Sequence, residues 1–129
     1  MTVSPGKLIL LVEDDRNLRT ILDFNLKRLG FEVSVASDGK QAWQLAQQHS
    51  FDFVVTDYRM PKMDGVELMR RLREDDKYRQ TPMILISALS RNLDLPTLCD
   101  GLNVLAFFPK PFSPADLART VEECLAMEA

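Results

Sequence analysis

Short apolar segments alternate along the chain with segments whose apolar residues recur at helical spacing. The first apolar segment, residues 8–12 (LILLV), is typical of a strand that is buried on both faces of a parallel sheet. A helical pattern follows at once, which begins after Asp14 or Asp15 as its cap and ends at Gly30. The alternation then repeats. It predicts further strands at residues 32–36, 53–56, 83–87 and 105–108.

Residues that favour the start of a helix precede three of the later helical patterns. Asp38 precedes the second pattern, and Asp64 with Glu67 three positions later resembles a capping box before the third. Ser113 and Pro114 are typical of the cap and the first position of the last helix. The apolar residues that should face the sheet are Leu18, Ile21, Leu22, Leu26, Leu29, Ala42, Leu45, Ala46, Val66, Met69, Leu72, Leu117, Val121, Cys124 and Leu125.

The segment between residues 87 and 110 does not have the pattern of a long helix. Pro96 would remove a hydrogen bond from a helix interior, at about 3 kcal/mol, unless it lies in the first turn. With Asp94 as the cap, Pro96 fits the first turn, but Gly101 would then end the helix. The leucines in this segment follow no steady helical period. We therefore expect residues 89–104 to lack a long regular helix.

Strands that alternate with helices at this spacing predict an α/β domain, in which a doubly wound parallel sheet has helices on both faces. Functional groups of such sheets lie outside the carboxyl ends of the strands. The predicted strands end at or near Glu13, Asp14, Asp57, Ser87 and Lys110. These polar groups should therefore meet at one edge of the sheet.

Composition limits the classes of partner. The 129 residues suffice for one domain, and 16 Lys plus Arg against 19 Asp plus Glu give a net charge of -3. Since nucleic-acid binding normally requires a basic excess, we expect no direct contact with nucleic acid. Cys99 and Cys124 form no disulfide framework or zinc motif. We expect a lead at residues 1–7, one domain at 8–127, a cytoplasmic location and no membrane partner.

The residues at the predicted sheet edge suit phosphoryl transfer. Crowded carboxylates such as Glu13, Asp14 and Asp57 repel one another unless a cation lies among them. Oxygen ligands without nearby His or Cys favour Mg²⁺ or Mn²⁺ over zinc. Lys110 and Ser87 could hold the oxygens of a phosphoryl group, with a carboxylate as the nucleophile.

Four ordered motifs make the chain resemble the receiver domains of bacterial two-component response regulators. They are residues 11–15 (LVEDD), 57–65 (DYRMPKMDG), 86–88 (ISA) and 109–112 (PKPF). The resemblance covers essentially the whole chain. It implies a flavodoxin-like fold with five strands in the order 2-1-3-4-5.

The resemblance also implies a role for several matching residues. Asp57 corresponds to the phosphoacceptor, and Glu13 and Asp14 correspond to the acidic pair that serves Mg²⁺, with Asp14 as the more direct ligand. Asp57 and the backbone carbonyl of Arg59 would complete the protein ligands.

The remaining residues that match the family would contact the phosphoryl oxygens or take part in a conformational switch. Ser87 and Lys110 would contact those oxygens, and the Lys110-Pro111 peptide bond would be cis. Phe107 occupies the position of the aromatic switch residue, which responds to the movement of Ser87. From its pattern alone, Phe107 fits a core position equally well.

The implied function is switching by phosphorylation. A sensor histidine kinase or a histidine phosphotransfer protein would donate the phosphoryl group to Asp57. The domain would catalyse only its own phosphoryl transfer and dephosphorylation, as one step of a phosphorelay. Its output would go to a downstream protein partner or to self-association.

Two other classes of protein remain possible for this sequence. A phosphatase of the aspartyl-phosphate type would carry a second Asp two residues after the nucleophile, but Tyr58 and Arg59 follow Asp57 here. An adaptor that resembles a receiver would signal by binding without phosphorylation, and the intact acidic residues argue against it.

Overall fold

The computed structural model describes residues 6–88 and 94–127. The strands are β1 (Leu8–Val12), β2 (Glu32–Ala36), β3 (Phe53–Asp57), β4 (Met83–Ala88) and β5 (Ala106–Lys110). The helices are α1 (Arg16–Arg28), α2 (Gly39–Gln48), α3 (Gly65–Glu74), α4 (Leu95–Leu98) and α5 (Pro114–Met127), with a short 3-10 helix at Asp76–Tyr78. All strand pairs are parallel, in the order β2-β1-β3-β4-β5, which confirms the predicted doubly wound fold.

The sheet separates two hydrophobic cores. On β1, Leu10 and Val12 pack on the face that α2 and α3 cover, whereas Ile9 and Leu11 pack on the face of α1 and α5. Most of the predicted inward residues are confirmed, but Ile21 is 46% exposed and the prediction for it is wrong. Across the described ranges, no helix combines the length and the apolar character that a membrane span requires.

The helices begin at the residues that the sequence favours. Asp15, rather than Asp14, caps α1 and accepts hydrogen bonds from the backbone N–H groups of Asn17 and Leu18. Asp38 caps α2, and Asp64 caps α3 by accepting from the N–H of Glu67 at 2.8 Å. These caps set where each helix starts after the sheet edge.

Three strands are longer or shifted relative to the prediction. β3 includes Asp57, β4 includes Ala88, and β5 begins at Ala106 and ends at Lys110 rather than spanning 105–108. The difference in β5 arises because a proline usually ends a strand, yet β5 is an edge strand where Pro109 is tolerated. Lys110 therefore lies within a strand, and not in the loop after it.

The fourth crossover lacks a long helix, as expected, over its described part. α4 has four residues, with Asp94 as its cap and Pro96 in the first turn. Gly101 and Asn103 adopt positive φ angles of 82° and 53°, which end the helical path. Residues 89–93, also covered by this expectation, lie outside the described residues.

An arginine on α3 holds the end of this crossover, a contact that the hydrophobic pattern did not indicate. The Arg73 guanidinium donates to five backbone carbonyls, those of Tyr78, Arg79, Thr81, Leu102 and Asn103, at distances of 2.6–3.3 Å. One turn earlier, Arg70 donates to the carbonyl of Leu98 at 3.0 Å. Burial lowers the pKa of Arg73. α3 thus satisfies carbonyl groups at the end of the irregular crossover and in the segment between α3 and β4.

We predict that Arg73→Met lowers the free energy of unfolding by about 2–4 kcal/mol, because several partly buried carbonyls lose a charged donor. Arg71→Met is the matched control on the same helix. It removes only an exposed ion pair with Glu67, at 3.6 Å, and should cost less than about 0.5 kcal/mol. Urea unfolding measures both values, and equal losses for the two variants would contradict the prediction.

Candidate functional site

The parallel register brings the predicted polar residues to one edge of the sheet. Val12 pairs with Thr56, so the following residues Glu13 and Asp57 are neighbours at the ends of β1 and β3. Ser87 on β4 pairs with Pro109 on β5, one position before Lys110. The structure therefore brings together the acids, the hydroxyl and the lysine that the sequence indicated.

Asp57 is held at both of its carboxylate oxygens. The side chain is nearly buried, and the residue is only 3% exposed. The backbone N–H of Tyr58 donates to Oδ1 at 2.9 Å, and Lys110 Nζ donates to Oδ2 at 3.1 Å. The carboxylate thus has a defined orientation before any ligand arrives.

A close backbone approach behind Asp57 depends on Gly65. The Gly65 N–H donates to the carbonyl of Tyr58 at 2.8 Å. A Cβ atom at Gly65 would lie 2.2 Å from the carbonyl oxygen of Asp57, which is a severe overlap. Gly65 belongs to the motif at residues 57–65, but the motif alone does not indicate this role. Only glycine lets α3 begin this close to the end of β3.

Glu13 is a buried carboxyl group with incomplete hydrogen bonding. Its Oε2 accepts from the backbone N–H of Asp15 at 3.1 Å, and its Oε1 lies 3.5 Å from Lys110 Nζ. Oε1 has no hydrogen-bond partner among the described residues. Burial, together with the negative charge of Asp57, raises the pKa of Glu13 to about 8, although the Asp15 N–H and Lys110 oppose the rise.

Asp14 completes a cluster of three acids. One carboxylate oxygen from each of Glu13, Asp14 and Asp57 lies within 4.8 Å of the others. Asp14 is exposed and lines an open cavity of about 520 Å³ together with Tyr58, Arg59, Met60, Pro61 and Asp64. Oxygen donors alone, one of them a buried atom without a hydrogen bond to the described residues, fit a hard divalent cation such as Mg²⁺.

Lys110 supplies positive charge from the opposite side of the site. Burial lowers its pKa, but the hydrogen bond and charge of Asp57, with the charge of Glu13, outweigh burial and raise the pKa overall. Lys110 therefore stays protonated at neutral pH. The Lys110-Pro111 peptide bond is cis, as predicted.

Ser87 and Phe107 differ in their surroundings. Ser87 is buried near the end of β4, whereas Phe107 is 37% exposed on β5. The core interpretation of Phe107 is therefore wrong. Its neighbour Phe108 packs instead with the core on the α1 and α5 face, and meets Phe112 edge to face at 5.6 Å between ring centroids.

Comparison with known proteins was consistent with this arrangement. The family model of the response regulator receiver domain matches residues 9–122. The transcriptional activator protein PfeR of Pseudomonas aeruginosa is 40% identical over 118 residues, which cover 90% of this chain and 37% of PfeR. The alkaline phosphatase synthesis transcriptional regulatory protein PhoP of Bacillus subtilis is 34% identical over 120 residues, which cover 93% of this chain and 49% of PhoP. The chain thus spans less than half the length of these relatives.

Solved structures show the same fold. The signal receiver domain of a signal transduction histidine kinase from Syntrophus aciditrophicus superposes with a TM-score of 0.85 at 28% identity, over 95% of this chain and 92% of that one. The chemotaxis response regulator CheY4 of Vibrio cholerae gives a TM-score of 0.82 at 27% identity, over 92% of this chain and 98% of that one. Fold, family model and sequence identity agree, and the chain belongs to the receiver domains of two-component response regulators.

Proposed function

We propose that Asp57 is the residue of this receiver domain that accepts a phosphoryl group. The observation that carries the proposal is the fixed orientation of its carboxylate, between the Tyr58 N–H at 2.9 Å and Lys110 at 3.1 Å. Asp57 also stands beside two other acids and near the buried Ser87. The alternative of an adaptor that signals without phosphorylation does not account for this set of groups.

The proposed donor is the phosphohistidine of a sensor histidine kinase or of a histidine phosphotransfer protein. An oxygen of Asp57 attacks the phosphorus, so that a P–O bond forms while the P–N bond to the donor breaks. The electron pair of that bond returns to the imidazole nitrogen. Lys110 and the Ser87 hydroxyl hold the oxygens of the transferred group. In a later step water attacks the phosphorus, and the P–O bond to Asp57 breaks, which releases phosphate and restores the carboxylate.

We propose Mg²⁺ as the cation of the acidic cluster. Glu13, Asp14 and Asp57 would hold it, together with the backbone carbonyl of Arg59, which lies in the loop that lines the same cavity. When bound, Mg²⁺ neutralises charge on the phosphoryl oxygens. The residues around Asp57 align the acceptor carboxylate, and Lys110 balances the charge of the acids from the opposite side of the site.

We also propose how the phosphorylated state is passed on. Ser87 would move toward the phosphoryl group, and Phe107, on the neighbouring strand β5, would turn inward from its exposed position. A downstream protein partner or a second copy of the chain would recognise the altered surface. The domain would act in the cytoplasm as a signalling module, and catalyse only its own phosphorylation and dephosphorylation.

The direct test is phosphorylation with a small donor. Incubation with acetyl phosphate and Mg²⁺ should add one phosphoryl group to the protein, as measured by intact mass. Asp57→Asn should abolish the addition, because the amide cannot act as the nucleophile. Asp38→Asn is the matched control, since Asp38 caps α2 and asparagine is an equally good cap. Equal labelling of the Asp57→Asn protein would overturn the assignment.

We predict that the buried Glu13 makes stability depend on pH when divalent cations are removed. Its pKa of about 8 in the folded protein exceeds the ordinary value of 4.5, so folding favours the protonated form. The resulting stabilisation is complete below the ordinary pKa and is lost as pH rises toward the raised one. Relative to wild type, Glu13→Gln should therefore become steadily more stable between about pH 5 and about pH 8.5.

Urea unfolding in the presence of a chelator measures this difference at each pH. Glu32→Gln provides the control, because Glu32 is exposed at the start of β2 and should leave the pH dependence unchanged. Stability curves of Glu13→Gln and wild type that run parallel across this range would contradict the prediction.

A further inference from the structure

We infer that Arg19 is a positioning residue for the proposed metal site, because its guanidinium fixes the turn that carries Asp14. The inference rests on the proposed function, since it concerns the carboxylates that would bind Mg²⁺. Arg19 Nη1 donates to the backbone carbonyl of Glu13 at 2.9 Å, six residues back along the chain. The side chain thus reaches from α1, past the cap residue Asp15, to the end of β1.

With this hydrogen bond, both backbone polar groups of Glu13 have a partner. The Glu13 N–H already donates to the carbonyl of Ala36 at the end of β2, at 3.0 Å. The Glu13 carbonyl and the Asp14 N–H belong to the same planar peptide group. When Arg19 holds the carbonyl, it therefore also sets the direction in which the chain enters Asp14.

Asp14 needs such support more than the other two acids. Its carboxylate makes no hydrogen bond to the described residues, and it is exposed, whereas Asp57 and Glu13 are buried and contact Lys110. Repulsion from the Asp57 carboxylate would drive a mobile Asp14 side chain outward into water. The backbone of the turn is what keeps a carboxylate oxygen of Asp14 within 4.8 Å of the other two.

Apart from this hydrogen bond, the position of Arg19 is electrostatically unfavourable for a cation. It lies near the start of α1, where the partial positive charge of the helix N-terminus repels a cation. Arg16, in the same turn, is exposed and makes no hydrogen bond or ion pair with the described residues. Arg16 therefore carries the same charge on the same helix without the contact, and it provides a matched control.

The test measures Mg²⁺ affinity by amide chemical-shift titration of the whole chain, for wild type, Arg19→Met, Arg19→Lys and Arg16→Met. Charge alone predicts that both methionine variants bind Mg²⁺ more tightly, because a positive charge is removed near the cation site. A positioning role predicts instead that Mg²⁺ binding weakens, and only in Arg19→Met. We expect Arg19→Met to bind about tenfold more weakly, as is typical when a group that orients a metal ligand is lost.

The other variants complete the comparison. Arg16→Met should bind as tightly as wild type or slightly more tightly. Arg19→Lys should retain most of the affinity, because the ammonium can still donate to the Glu13 carbonyl. Binding by Arg19→Met that equals or exceeds that of Arg16→Met would overturn the inference, provided that circular dichroism shows a folded protein. If Arg19→Met does not fold, Arg19→Ala takes its place, and binding by folded Arg19→Ala that equals or exceeds that of Arg16→Met overturns the inference.

A measurement without metal separates this inference from the proposed function. In the presence of a chelator, the amide resonance of Asp14 should shift in Arg19→Met, and it should shift much less in Arg16→Met. Wild-type protein that binds no Mg²⁺ would overturn the proposed metal site, whereas the metal-free shifts would still decide the role of Arg19. Unchanged resonances in Arg19→Met would overturn that role even where Mg²⁺ binds.

Discussion

Repulsion among three carboxylates at one edge of the sheet is the constraint on which the rest of this structure depends. Glu13 and Asp57 are buried, Asp14 stands beside them, and Lys110 is the ammonium group in contact with the two buried acids. Burial, together with the negative charge of Asp57, raises the pKa of Glu13 to about 8. Burial of Glu13 beside Asp57 therefore costs the fold stability as pH rises toward 8, and a cation among the acids would offset that cost.

The fold brings these acids together through its backbone. The parallel register sets Glu13 beside Asp57, and the close approach of Gly65 lets α3 start directly behind Asp57. The contact between Arg19 and the Glu13 carbonyl fixes the turn after β1, which carries Asp14. Because these contacts act on main-chain groups, they occupy no carboxylate oxygen of the three acids.

The hydrophobic pattern predicted most of the fold because strand periodicity and helix caps are local properties. Asp38, Asp64 and Asp94 cap helices where the sequence placed them. The bounds of β5 were wrong because a proline weakens a strand signal, and hydrophobic periodicity alone does not show which strands lie at the edge of a sheet. The motifs predicted the site residues that the structure brings together.

The contacts of Arg19 and Arg73 could not be predicted from periodicity. A guanidinium that binds a backbone carbonyl leaves no trace in the hydrophobic pattern, since its acceptor is present in every residue. Arg73 reaches carbonyls up to thirty positions away along the chain. Ile21 shows the converse error, because helical spacing places it on the inner stripe, whereas its side chain is exposed in the structure.

α3 connects the site to the irregular crossover, because it contacts both. This connection limits how far the structure of either one can change. Its first residue, Gly65, abuts the carbonyl of Asp57, and Arg70 and Arg73 hold the carbonyls at the end of α4 and in the turn that follows. A helix is stiff over ten residues, so a displacement at its N-terminus changes the position of both arginines. The short α4 can therefore depart from helical geometry without losing its place, because α3 supplies the hydrogen bonds that a longer helix would make within itself.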